Sequence, residues 1–383
     1  MGILVENSIF SLRLSLTALR FTGFWPPEGW SKGKLILYHC YGFFCFMFLL
    51  GIFLITEVAD LFLIWGNLPL MTGTAFLLFT NLAQAAKFLN IIIRRKSILR
   101  IITECEVLKE HKVAKFKGSR NILCIVQSCN RETLQQQVFF FILTILTVAG
   151  WLGSAEMGKL PLRAWYPYNT NISPLYEITY IQQGFTILLA ALLNVSKDTL
   201  ATTLIAQCKC RLRLIGLSLR NIGDCYYGEV NEPLTSSQEL KAYQHLRRCV
   251  IEHQRTLNTI MLLEKTFSEP TFAQFSVSLV IICATAFQLV SQSGNYVRLI
   301  SMGTYLFNMM FQVFIYCYQG HSLSTESEDL SACVYDMPWY NYSVRVRRSL
   351  LVIMVRCRRI AKLTAGGFTT LSITSFMAVR LML

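Results

Sequence analysis

The sequence predicts an all-α membrane protein: seven transmembrane helices, N-terminus cytoplasmic, C-terminus extracellular, inner helices extended into a cytoplasmic anchor bundle. Three observations predict it. Hydrophobic residues fill 53 % of the 383 positions and charged residues only 15 %, a composition suited to lipid. Six long apolar runs and a weaker seventh approach the ~20 residues that cross hydrocarbon. Lys and Arg crowd into alternate gaps between those runs, and short basic loops stay cytoplasmic. The net charge of +14 therefore points to a bilayer as partner, with no nucleic acid.

The elements follow in order. Residues 1–34 read as a cytoplasmic segment carrying Arg13, Arg20, Lys32 and Lys34. Span one covers 35–56; it begins too late and runs too long for a signal-peptide core, so it reads as a signal anchor. Spans two to six cover 68–93, 138–155, 176–205, 272–290 and 296–318, and the weaker seventh covers 364–383. Thirty basic residues fall in 1–34, 94–136, 206–265 and 319–363, against four on the opposite side. Lys87 and Lys197 sit near the inner ends of spans two and four.

The inner segments look helical. Ile98, Ile101, Ile102, Cys105 and Leu108 keep a 3.6-residue period, as do Leu240, Tyr243, Leu246, Val250 and Leu257. The stretch 216–233 reads as a loop. So 35–318 is expected to hold six spans, with cytoplasmic extensions at 94–136 and 206–265 and a ligand pocket in the outer half. Segment 337–363 carries seven Arg and Lys, each costing roughly 2.5–3.5 kcal/mol at mid-bilayer, so it belongs to a cytosolic helix. Residues 319–363 are read as an anchor helix and 364–383 as the last span, with a break at Gly366-Gly367.

None of the thirteen cysteines falls in an expected extracellular loop, and cytosolic thiols stay reduced. Cys208, Cys210, Cys249 and His253 match no standard zinc spacing. Asn171-Ile172-Ser173 is a glycosylation sequon on the extracellular side, with Pro174 weakening it. Asn341-Tyr342-Ser343 lies on the wrong side.

No nucleotide, zinc-protease or hydrolase motif occurs, the five His are scattered, and no enzyme activity, cofactor or metal is expected. The spans carry few formal charges, unlike most ion-coupled transporters. Aromatic and hydroxyl groups gather instead in their outer halves. Thr144, Thr147 and Trp151 share a face of span three, and Tyr176 and Tyr180 stack at i, i+4 in span four. With Phe76, Phe79 and Phe287 they could line an apolar ligand pocket; ordinary helix packing is the competing account.

The last 70 residues are the most distinctive. Tyr316-Cys317, Gly320, Ser327, Leu330, Ala332, Tyr335, Trp339-Tyr340, Arg347-Arg348, Leu350, Leu363-Thr364-Ala365-Gly366, Phe368, Leu371-Ser372 and Phe376 stand in order. This pattern resembles the signature of the insect odorant receptors, and the stretch around Arg356-Cys357-Arg358 is similar to hymenopteran members. The resemblance implies the odorant-binding subunit of a ligand-gated, non-selective cation channel in the plasma membrane of olfactory neuron dendrites. It further implies a heterotetramer with a shared odorant co-receptor and a volatile small-molecule ligand. The subunits would be joined near Trp339, Tyr340, Arg347 and Arg348. A pore would be lined by the last helix, where Thr370 and Thr374 stack at i, i+4 and Met377 and Leu381 continue the stripe. The resemblance likewise supports Thr144, Thr147 and Trp151 as pocket residues.

One departure stands out. The chain ends Met377-Ala378-Val379-Arg380-Leu381-Met382-Leu383, without the Lys and aromatic residues usual in the family. The alternatives are therefore a gustatory-type channel of the same superfamily or a non-conducting subunit with a shortened C-terminus. A G-protein-coupled receptor needs an outside N-terminus and an arginine motif closing span three, and the sequence suggests neither.

Overall fold

The computed structural model describes residues 2–27, 29–66, 68–115, 120–153, 160–161, 165–166, 168, 172–226, 235–291 and 296–381. Its helices are α1 (Gly2–Phe21), α2 (Lys32–Phe46), α3 (Ile52–Leu63), α4 (Leu68–Ile93), α5 (Arg95–Lys115), α6 (Arg120–Gly153), α7 (Leu175–Tyr226), α8 (Ser236–Ser291), α9 (Tyr296–Tyr335), α10 (Val344–Cys357) and α11 (Ile373–Leu381). A π-helical turn, Met47–Gly51, joins α2 to α3. A two-stranded hairpin, β1 (Thr364–Ala365) and β2 (Thr369–Thr370), precedes α11.

Among the described residues α6, α7, α8 and α9 are long and apolar enough to cross a membrane by length and composition, and Leu77–Ile93 of α4 is a shorter apolar helix. Large apolar side chains stand exposed on α2 and α3 (Leu37, Phe44, Phe62), α4 (Ile93), α6 (Leu146) and α7 (Ile181). In water such a belt would aggregate; in lipid it is the solvated surface. The protein is a multi-pass, all-α membrane protein.

The long helices outrun the bilayer. α7 holds 52 residues and is about 78 Å long at 1.5 Å per residue, more than twice ~30 Å of hydrocarbon. α8 holds 56 residues and α9 holds 40. Each fuses an apolar span with a polar extension, so the helical stretch expected from Leu240 to Leu257 and span five form one helix. The expected loop at 216–233 is corrected: α7 continues through Gly216 to Tyr226. A Cβ at Gly216 would stand 3.1 Å from Cys333 Sγ. The bare glycine lets α7 approach α9, and that packing outweighs a helix-propensity cost of about 1 kcal/mol.

α7 is the axis of the bundle, buried continuously from 195 to 212. One core runs along it, built from α1, α4, α5, α8, α9 and α10. The helical character of 2–21 escaped the sequence reading, although Leu12, Ser15 and Leu19 recur at helical spacing and are buried. Ser15 Oγ lies 2.9 Å from Thr199 Oγ1 and accepts from Gln137 Nε2 at 3.0 Å. Tyr38 Oη shares its proton between the carbonyls of Arg20 (2.6 Å) and Trp25 (3.0 Å), tying α2 to the turn that follows α1.

The C-terminal expectation also needs correction. Residues 364–370 form a hairpin rather than the start of a span. Gly366 (φ 62°) and Gly367 (φ 77°) occupy the left-handed region that glycine enters at no steric cost, and Phe368 N–H donates to Ala365 O at 3.1 Å. α11 keeps nine residues, about 13.5 Å. Thr370 therefore lies on β2, and its helical stack on Thr374 is not formed.

Candidate functional site

A cavity of about 140 Å³ opens between α4, α6, α7 and α9. Thr144, Thr147 and Trp151 on α6 line it, together with Leu77, Thr80, Asn81 and Gln84 of α4, Ala190, Ala191 and Asn194 of α7, and Tyr305, Asn308, Met309 and Gln312 of α9. Periodicity explains the set: each helix offers positions three or four apart to the same side.

Trp151 meets Tyr305 edge to face, ring centroids 6.3 Å apart at 85°. Tyr305 Oη lies 3.1 Å from Thr80 Oγ1. Beside this pair α6 and α9 close up, with Ser301 Oγ donating to Gly150 O at 2.8 Å. Deeper in the cavity Thr144 Oγ1 is 3.5 Å from Asn308 Oδ1. Thr147 Oγ1 donates to Leu143 O at 2.8 Å, leaving its lone pairs toward the space.

Behind Asn194 and Gln312 of the lining lies a buried polar network. Asp198 on α7 accepts from Lys87 Nζ at 2.7 Å, from Tyr316 Oη at 2.9 Å and from Gln312 Nε2. Lys87 Nζ also donates to Asn194 Oδ1 at 3.2 Å, and Gln274 Nε2 donates to Gln312 Oε1 at 3.1 Å. Lys197 Nζ stands 3.5 Å over the Phe88 ring and 3.4 Å from Gln84 O. Lys87 and Lys197, expected near the inner ends of spans two and four, are both buried, and they flank a carboxylate the sequence reading did not single out. Near the far end of α4, Glu57 is buried and accepts from Asn81 Nδ2 at 2.9 and 3.0 Å.

The remaining candidate residues lie elsewhere. Tyr176 and Tyr180 stack at 6.0 Å, and Tyr180 Oη donates to Leu152 O at 2.9 Å; neither lines the cavity. Phe79 is exposed on α4. The side chains of Phe76, Phe287 and Leu381, and Asn171 as a whole, lie outside the described residues. Thr370, Thr374 and Met377 are exposed near the C-terminus. Trp339 and Tyr340 are exposed on a 3₁₀ turn, ring centroids 5.9 Å apart. Arg347 and Arg348 are exposed on α10, where Arg347 Nε donates to Tyr342 O at 2.9 Å. Cys208 is hydrogen-bonded with Cys105, and Cys210 with Cys129, whose thiol that bond draws down to about 7. Among the described residues no group of three His, Cys, Asp or Glu is placed to hold a metal.

α9 also reaches the C-terminal elements. Phe314 meets Phe376 of α11 at 5.3 Å. A Cβ on Gly320 would fall 2.5 Å from Leu371 Cβ. The hairpin is held on α8: Gly366 N–H donates to Ser268 O at 3.0 Å, and Thr364 Oγ1 to Glu264 Oε1 at 2.7 Å.

A sequence profile described as "7tm Odorant receptor" matches residues 67–382. The chain belongs to the odorant receptor family. Odorant receptor Or1 of Anopheles gambiae is 22 % identical over 96 % of this chain and 92 % of its own length. Odorant receptor 2a of Drosophila melanogaster is 23 % identical over 94 % of this chain and 90 % of its own. The structure of olfactory receptor OR5 from Machilis hrabei in complex with eugenol shares the fold, with a TM-score of 0.82, 18 % identity and coverage of 99 % of this chain and 97 % of that one.

For this odorant receptor the sequence reading missed Gln84, Asn194, Tyr305, Asn308 and Gln312. Four of these are side-chain amides, which are costly inside apolar spans unless they have a role.

Proposed function

We propose that the chain is the odorant-binding subunit of a ligand-gated, non-selective cation channel that works with a shared co-receptor in a heterotetramer. The observation that carries this reading is α9. One face of it lines the cavity through Tyr305, Asn308 and Gln312, and its continuation packs on α11 through Phe314 and on Leu371, just before α11, through Gly320. A ligand that shifts α9 shifts the element bearing Thr374 and Met377.

Other features support the assembly. Leu351, Val352 and Val355 form an exposed apolar stripe on α10, a surface suited to a neighbouring subunit near Trp339 and Tyr340. The thirty-to-four bias of basic residues supports a cytoplasmic N-terminus and an extracellular C-terminus. The cavity, mostly aliphatic and aromatic with a few amides and hydroxyls, suits a small volatile molecule.

Patch-clamp recording from cells expressing the chain with an odorant co-receptor tests the reading. A volatile panel is expected to evoke cation current in excised patches without GTP. Current that requires GTP and has no direct conductance would contradict it.

A further inference from the structure

Five side-chain amides line the cavity, and four have hydrogen bonds that fix them. Asn81 donates to Glu57, Asn194 accepts from Lys87, Gln312 lies between Asp198 and Gln274, and Asn308 faces Thr144. The fifth is Gln84, which is 7 % exposed. Among the described residues its Oε1 is buried and accepts no hydrogen bond. The backbone carbonyl of the same residue has a donor in Lys197 Nζ, so only the side chain is unmet.

A buried acceptor without a donor is unfavourable, and buried polar atoms in folded proteins nearly always have partners. Gln84 is part of the cavity lining, as are the α6 hydroxyls of Thr144 and Thr147. Taking the cavity as the ligand site proposed above, we infer that Gln84 selects ligands carrying a hydroxyl, an alcohol or phenol, over carbonyl, ether or hydrocarbon analogues of the same skeleton. An alcohol O–H donates to Gln84 Oε1. An aldehyde, ketone or ester has no proton to give and leaves the oxygen bare. With Oε1 as the unmet atom the amide needs a proton from its partner, and of these ligand classes only the hydroxyl supplies one.

Size sets the second limit. The volume of about 140 Å³ is close to that of the ~150 Å³ apolar cavity known to hold benzene. The ligand class is therefore a compact alcohol of roughly six to eight carbons, its hydrocarbon part against Trp151 and Met309 and its hydroxyl at Gln84. A site that hydrogen-bonds a substrate hydroxyl rejects the analogue lacking it far more strongly than an apolar pocket rejects a missing methylene.

The test is thermal stabilisation of the purified full-length receptor by matched pairs: benzyl alcohol with benzaldehyde, and 1-hexanol with hexanal. Binding to the folded state raises Tm by an amount that grows with the logarithm of the ligand concentration over Kd. Wild type is expected to bind each alcohol about tenfold more tightly than its aldehyde. Gln84→Leu is expected to remove that ratio while still binding the aldehydes, and Gln84→Glu, which keeps an acceptor, to retain it. Equal binding of alcohol and aldehyde by wild type, or a preference that survives in Gln84→Leu, overturns the role of Gln84 and leaves the ligand cavity standing. No stabilisation by any of the four overturns both.

Discussion

Lys87 on α4 and Asp198 on α7 meet at 2.7 Å with both side chains buried, joining two helices beside the cavity. Removing one partner strands the other charge, a cost of about 3–5 kcal/mol, whereas replacing both by apolar groups is often tolerated. Asp198→Leu is therefore expected to abolish surface expression or lower Tm sharply. The double variant Lys87→Met with Asp198→Leu should regain most of the loss. Surface labelling and thermal melts read this directly; losses that simply add would show that the pair is not a unit.

Gly320 lets α9 touch the segment leading into α11. The Cβ of Gly320→Val would fall 2.5 Å from Leu371 Cβ and 2.7 Å from Leu371 O, an overpacking worth about 1–3 kcal/mol. Gly320 lies outside the cavity lining, so the half-maximal ligand concentration should change little while maximal current falls severalfold. Wild-type maximal current would uncouple this contact from gating.

Thr374 is exposed on α11, where Ser372 caps the helix by accepting from Ser375 N–H at 3.1 Å. If that exposed face borders the ion path, Thr374→Leu replaces a hydroxyl by a dewetting surface. Single-channel conductance should drop or rectify. Unchanged conductance and selectivity would put the face against lipid.

His253 on α8 is held at about 4, first by burial and then by Arg356 of α10. Its folded value lies below the unfolded value of ~6.5, so the unfolded chain binds more protons between the two. The neutral form's contribution is complete above about pH 6.5 and is lost as pH falls toward about 4. His253→Gln should reduce the fall in Tm between pH 7 and pH 5. An identical slope in wild type and variant would exclude His253 as its source.

The spans were legible because lipid makes a demand that composition alone can answer. The 68–93 run coincides with α4, and the 296–318 run begins where α9 begins. The helical extensions beyond the bilayer were legible as well, except at 216–226. Gly216 looks like a loop until α9 is packed against it, a tertiary contact that overrides propensity. Gly366-Gly367 announced a break but not a hairpin, whose docking depends on Ser268 and Phe272 nearly a hundred residues away. At the cavity the α6 face was readable from one helix's spacing. The α9 and α4 amides stand out as polar groups in apolar spans, but not the cavity they share, because which faces of four helices converge is decided by packing.

The ligand response of Trp151→Ala tests most directly whether the cavity between α4, α6, α7 and α9 is where the ligand acts. With assembly confirmed by surface labelling, truncating this half-buried ring should shift the half-maximal concentration by about tenfold, equivalent to about 1.4 kcal/mol of lost ligand contact. Dose–response curves identical to wild type for every active volatile would contradict the account.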